Sequence, residues 1–187
     1  MKIYIDQGHN PMNPNAGAEG NGYREQDITY EVGVLLAELL RSNPFFEVML
    51  SRNTPTEQIG TSVATSLAQR VNEANEWGAN YFISLHANAS TNVEASGSEV
   101  YVYNYYTPAY YLGERILIGL NEETGLPNRG IFINKSLYVL RRTQMPAVLV
   151  EMGYITNPLD AMLMGEAPEA FAQGIYNGIL QYFGLNQ

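Results

Sequence analysis

Residues 147–153 read AVLVEMG. Four apolar residues in succession leave no polar face to alternate with, so the segment predicts a strand buried on both sides, as at the centre of a parallel sheet. The run meets a carboxylate at Glu151, where ionisation costs free energy unless a partner or a function holds the charge. Two further strand-like segments end on an ionisable residue. YIDQGH (4–9) delivers His9 and FISLH (82–86) delivers His86, and the chain has no third histidine.

The segments around these strands alternate with helices. Residues 2–5 and 47–50 predict short strands, and between them Ile28, Val32, Leu35, Leu36 and Leu39 fall on one face of a helix. A second helix is expected from about Ser66, with Leu67, Val71 and Ala74 aligned and Gly78 as its stop. GSEVYVYNY alternates as a half-exposed strand. TPAYYLGERILIGLNEETG then offers Thr107 as N-cap, Pro108 at the first helical position and Gly125 as terminator. LYVLR (137–141) reads as a late strand, and Pro168 opens a last helix carrying Phe171, Ile175 and Ile179. The pattern is α/β: a three-layer αβα domain with a twisted, mostly parallel sheet of about six strands and helices on both faces. One domain over residues 1–187 is expected, with its ligand crevice outside the strand carboxyl ends.

Composition narrows the partners. Ten Lys and Arg against nineteen Asp and Glu give a net charge of −9, which repels nucleic-acid phosphates and anionic lipid, so no nucleic-acid partner is expected. The absence of cysteine means a metal site must be built from His, Asp and Glu. The N-terminal apolar run stops at Asp6, too soon for a signal-peptide core, and no segment approaches the roughly 20 apolar residues of a membrane span.

Three strand ends thus aim His9, His86 and Glu151 at one edge, and Glu25 in GYREQD stands at the head of the first helix. Two imidazoles, a carboxylate and a vacant position form a zinc-hydrolase ligand set. Each residue alone has a plainer reading: a strand-end histidine is ordinarily a surface or hydrogen-bonded group, and a first-turn glutamate complements the helix macrodipole. Both histidines occupying the same kind of position favours the site. Glu19, in the loop NPMNPNAGAEGNG, competes with Glu25, which is preferred for its place at the start of an apolar-periodic helix.

The segments DQGH, REQD, LSR, AQRVNEAN, FISLHANAS, GSEVYVY, NRG, LYVLR and MPAVLVEMGYITN occur in an order and spacing similar to the zinc-dependent N-acetylmuramoyl-L-alanine amidases of the Amidase_3 family. The resemblance runs from residue 2 to about 183. It implies that His9, Glu25 and His86 bind one Zn2+ and that Glu151 is the catalytic carboxylate. The bond cut would join the lactyl group of N-acetylmuramic acid to L-alanine, in peptidoglycan or a muramyl peptide. It further implies an extracellular or wall location, and a monomer is expected. Asn88 of SLHAN and Arg129 of NRG are the candidate substrate contacts. A zinc peptidase cutting within stem peptides and a metal-free wall-binding module are the alternatives.

Gln7 and Asn10 depart from the common family pattern, which leaves the loop beside His9 open. Asp6 is a candidate to orient His9, and Arg52 and Arg70 are read equally well as ion-pair formers. The aromatic run YVYNYYTPAYY is read as cover for a sheet and a helix rather than as a sugar-binding site. The 64 residues between His86 and Glu151 hold no evident extra helix, so an open cleft is expected.

Overall fold

The computed structural model describes residues 1–185. A six-stranded sheet runs in the order β4-β1-β5-β8-β6-β7, formed by β1 (Lys2–Gln7), β4 (Glu47–Leu50), β5 (Tyr81–Asn88), β6 (Ser98–Val102), β7 (Asn128–Ile133) and β8 (Ala147–Tyr154). A two-residue hairpin, β2 (Glu19–Gly20) with β3 (Tyr23–Arg24), lies in the loop after β1. Every neighbouring pair in the sheet is parallel except β6 and β8. The expected parallel sheet therefore carries a reversed two-strand flank. One edge of the sheet combines the carboxyl ends of β1, β5 and β8 with the amino ends of β6 and β7.

Helices α1 (Glu25–Ser42), α3 (Pro108–Thr124) and α6 (Pro168–Phe183) cover one face, packing Val32, Leu36, Ile116 and Ile175 against Ile5, Ile83 and Val150. Helices α2 (Val63–Trp77) and α4 (Tyr138–Arg142) cover part of the other over Tyr4, Phe82 and Leu149. α5 (Pro158–Glu166) follows β8. The central strands are buried on both faces, as the apolar run at 147–150 requires. α3 and α6 approach so closely that a Cβ on Gly119 would lie 2.1 Å from the carbonyl oxygen of Gly174, a contact that only glycine permits.

The caps behave largely as read. Thr107 accepts from the Tyr110 N–H with Pro108 in the first turn, and Gly125 and Gly78 close their helices with φ of 70° and 69°. α2 starts earlier than expected, at Val63, because Ser62 and Thr65 form a reciprocal capping box. LYVLR is not a strand. Its residues from Tyr138 form the one-turn helix α4, with Leu137 as N-cap and the adjacent Val139 and Leu140 both buried against α2 and β8. The sixth strand is instead β7, which contains the NRG segment.

Arg70 of α2 is a fully buried cation. It pairs with Asp6 of β1 and also donates to the carbonyls of Gln7 at 2.7 Å and His9 at 2.6 Å and to Asn10 Oδ1 at 3.2 Å. The second Asp6 oxygen accepts from Ser84 Oγ at 2.7 Å. Burial alone would raise the Asp6 pKa, yet Arg70 and Ser84 outweigh it and hold the carboxyl below its ordinary value.

Removing one partner of a buried pair leaves the other charge uncompensated, so Asp6→Asn is expected to destabilise the protein by about 3–5 kcal/mol. Because the folded Asp6 pKa is depressed, its contribution is complete above the unfolded carboxylate pKa and is lost as pH falls through the folded value. Urea midpoints measured from neutral to acid pH should accordingly fall more steeply for the wild type than for Asp6→Asn.

Candidate metal centre and active site

β1 ends at Gln7, and the chain turns sharply through Gly8 into His9, whose φ is +69°. A left-handed histidine is uncommon and must be held by its surroundings. Here Arg70 grips the His9 carbonyl from below, and Thr29 of α1 donates to the Gly8 carbonyl at 2.8 Å. Gly8 is required by close approach, since a Cβ there would sit 2.4 Å from the Leu85 carbonyl oxygen and 2.6 Å from His86 Cε1.

Three side chains from three elements converge above this turn. Glu25 Oε1 lies 3.1 Å from His9 Nε2 and 3.0 Å from His86 Nδ1, and the two imidazoles meet edge to face at 4.9 Å. All three donor atoms fall within 4.8 Å of one another. The carboxylate is pre-positioned by the backbone: Oε1 also accepts from the Ala87 N–H at 3.0 Å and Oε2 from the Ala18 N–H at 2.9 Å. Burial opposes charge on both members of the Glu25–His86 pair. Their mutual hydrogen bond prevails, holding Glu25 well below the carboxylate range and lifting His86 to about 8. Two nitrogens and one oxygen turned to a common point, with side chains of His9 and His86 still 22% and 18% exposed, could hold a divalent ion within reach of solvent.

Glu151 stands beside this cluster, paired in register with His86 across β5–β8. Its Oε2 is buried and finds no hydrogen-bond partner among the described residues. Burial pushes its pKa up to about 7, with Glu25 and Glu99 adding to the rise and His86 opposing it. A carboxyl poised near neutrality in a cleft can both take and return a proton.

On the far side of Glu151, in register across β6–β8, lies Glu99. It is buried and collects four donors: Arg129 Nε at 2.7 Å and Tyr154 Oη at 2.5 Å on one oxygen, Tyr101 Oη at 2.9 Å and Asn88 Nδ2 at 3.3 Å on the other. Asn88 and Arg129 are thus brought to one rim, tied through a residue that the sequence reading passed over. The available signal was its phase in GSEVYVY, where Glu99 shares a face with Tyr101.

The remaining candidates divide. Glu19 is exposed on the β2–β3 hairpin near Arg24 and lies outside the cluster. Asp6 engages Arg70 and Ser84, so it supports His9 through the backbone rather than by orienting its ring. Gln7 and Asn10 are fully buried. Gln7 Oε1 accepts from the Arg52 N–H at 2.8 Å, while Asn10 donates to the carbonyls of Pro14 and Ile59 and accepts from the Ile59 N–H. Both are scaffold for the loop. Arg52, also buried, donates to the Gln26 carbonyl at 2.7 Å.

The N-acetylmuramoyl-L-alanine amidase model, Amidase_3, matches residues 3–181. The chain is 34% identical to the N-acetylmuramoyl-L-alanine amidase LytC of Bacillus subtilis over 97% of its own length, which spans 35% of that protein. It is 33% identical to the amidase CwlM of Bacillus licheniformis over its full length, covering 70% of that relative. Among solved structures, the catalytic domain of the amidase CwlV from Bacillus (Paenibacillus) polymyxa superposes with a TM-score of 0.85 at 30% identity, with 99% of each chain covered.

The Gly8 contacts make a sharp test of the geometry. Gly8→Ala forces His86 or the Leu85 carbonyl to move, with an expected loss of roughly 1–3 kcal/mol from overpacking. Divalent-ion affinity, followed by calorimetric titration, is expected to fall together with the unfolding midpoint.

Proposed function

Because the chain belongs to the Amidase_3 family of N-acetylmuramoyl-L-alanine amidases, we propose that it hydrolyses the amide between the lactyl group of N-acetylmuramic acid and L-alanine of the stem peptide in peptidoglycan. The observation that carries this reading is the convergence of His9, Glu25 and His86 one strand away from a buried, unpartnered Glu151 oxygen. Residues 1–187 act as one catalytic domain, a monomer working outside the cell or in the wall.

The donor set fits Zn2+, since imidazole nitrogen and carboxylate oxygen are its preferred ligands apart from thiolate. His9, Glu25 and His86 would hold the ion, and the two backbone N–H groups on Glu25 keep that carboxylate in place without it. When bound, the ion supplies Lewis acidity toward the scissile carbonyl and the attacking water. Glu151 takes the proton of that water on its free oxygen and returns it to the departing alanine nitrogen, acting as general base and then as general acid. Asn88 and Arg129, fixed through Glu99, line the substrate side of Glu151.

Digestion of a muramyl peptide is expected to expose free L-alanine amino termini, and a chelator is expected to stop their release. New termini within the stem peptide would instead identify a peptidase. Glu151→Gln is expected to keep one zinc per chain while kcat falls by about 10²–10⁴-fold, and full activity in that variant would refute the assigned role.

A further inference from the structure

The sheet face that bears Glu151 is only partly covered. α4 packs on β8 and α2, whereas α3 lies on the opposite face of β6 and β7, where Gly113 meets Val100 and Ile131. On the uncovered face Tyr101 and Phe132 stand opposite one another in register, with ring centroids 5.7 Å apart and planes inclined by 33°. Tyr103 follows just beyond the end of β6, with Lys135 Nζ 5.4 Å from its ring centroid. Phe132 is 41% exposed and Tyr103 38%, a large apolar outlay on a bare sheet face.

This surface is continuous with the catalytic residues. Glu151 is in register with Glu99, and Glu99 fixes the hydroxyl of Tyr101 and the guanidinium of Arg129. A bulge in β7, at Gly130 with φ +99°, brings Arg129 to the Glu99 side. From Glu99 to Val102 the strand advances about 10 Å, and Tyr103 extends the surface beyond it, enough for more than one sugar ring.

We propose that Tyr101, Phe132 and Tyr103 form a shelf on which the glycan strand lies, rings stacked on its sugars, leading the lactyl group to Glu151; this rests on the amidase reading above. Pyranose rings present C–H faces that pack on the electron-rich faces of aromatic side chains. At the end of the shelf nearest Glu151 the cation Arg129 is already matched by Glu99, and Lys135 lies over Tyr103 at the far end. The surplus negative charge of the chain does not repel a neutral sugar backbone, as it would an anionic polymer.

The test compares zinc-loaded wild type, Phe132→Ala, Tyr103→Ala and Phe132→Trp on two substrates: glycan chains bearing stem peptides and a single-sugar muramyl peptide. Each alanine variant is expected to raise KM on the chains about five-fold with little change in kcat, in line with the loss of one aromatic stacking contact. KM on the single-sugar substrate should move far less, and Phe132→Trp should restore the wild-type value. Unchanged KM on the chains, an equal rise on both substrates, or a rise that follows stem-peptide length at fixed glycan length would overturn the shelf. If the wild type cleaves neither substrate, the amidase reading fails on its own. The shelf is then decided by NMR titration with peptide-free glycan oligomers: binding that Phe132→Ala removes supports it, and no binding to the wild type overturns it.

Discussion

The buried ion pair between Arg70 and Asp6 fixes the rest of the site. One guanidinium, carried in from α2, neutralises a carboxylate on β1 and takes hold of the carbonyls of Gln7 and His9. The turn after β1 therefore has no freedom to relax, and the left-handed conformation of His9 becomes the resting one. Buried charges of this kind contribute little net stability against an apolar replacement. What they contribute here is direction: the imidazole of His9 is aimed at Glu25 by its backbone, not by a side-chain neighbour.

The two carboxylates of the site show how environment divides one chemistry into two tasks. Glu25 receives backbone N–H groups and both histidines, which favours its charged form and suits a ligand. Glu151 receives burial and negative neighbours, which favours a proton and suits a group that must carry one. Their separation follows from topology, since Glu25 comes from a helix start and Glu151 from the interior of the central strand.

Much of this was legible in the sequence because apolar runs mark the strands, although His86 and Glu151 fall inside β5 and β8 rather than at their ends. The apolar run at 147–150 marks a central strand, and His9, His86 and Glu151 each close such a run, so the fold class and the cluster follow together. Glu25 was readable from its place at the head of a periodic helix. What escaped depends on contacts between segments distant in sequence. LYVLR contains strand-forming residues but is held as a helical turn by packing against α2 and β8. NRGIFI looks like a loop because of Gly130, which in fact forms a bulge within an edge strand. Glu99 has only its strand phase as a local signal, since its meaning comes from four donors spread from Asn88 to Tyr154. Gln7 and Asn10 look like departures near the substrate, yet both are spent inside the loop.

The reversal of β6 and β7 divides the catalytic edge by chain direction. On one side the site is reached as strands finish, with His9 just after β1 and His86 two residues before the end of β5. On the other it is reached as strands begin, through the segments leading into Ser98 and Asn128. Lengthening or remodelling the lead-in to β7 alters the Arg129 border of the site without shifting the register of β1, β5 and β8. The molecule thus keeps the His9, Glu25 and His86 cluster and the Arg129 rim on separately adjustable stretches of chain, so one can change while the other stays fixed.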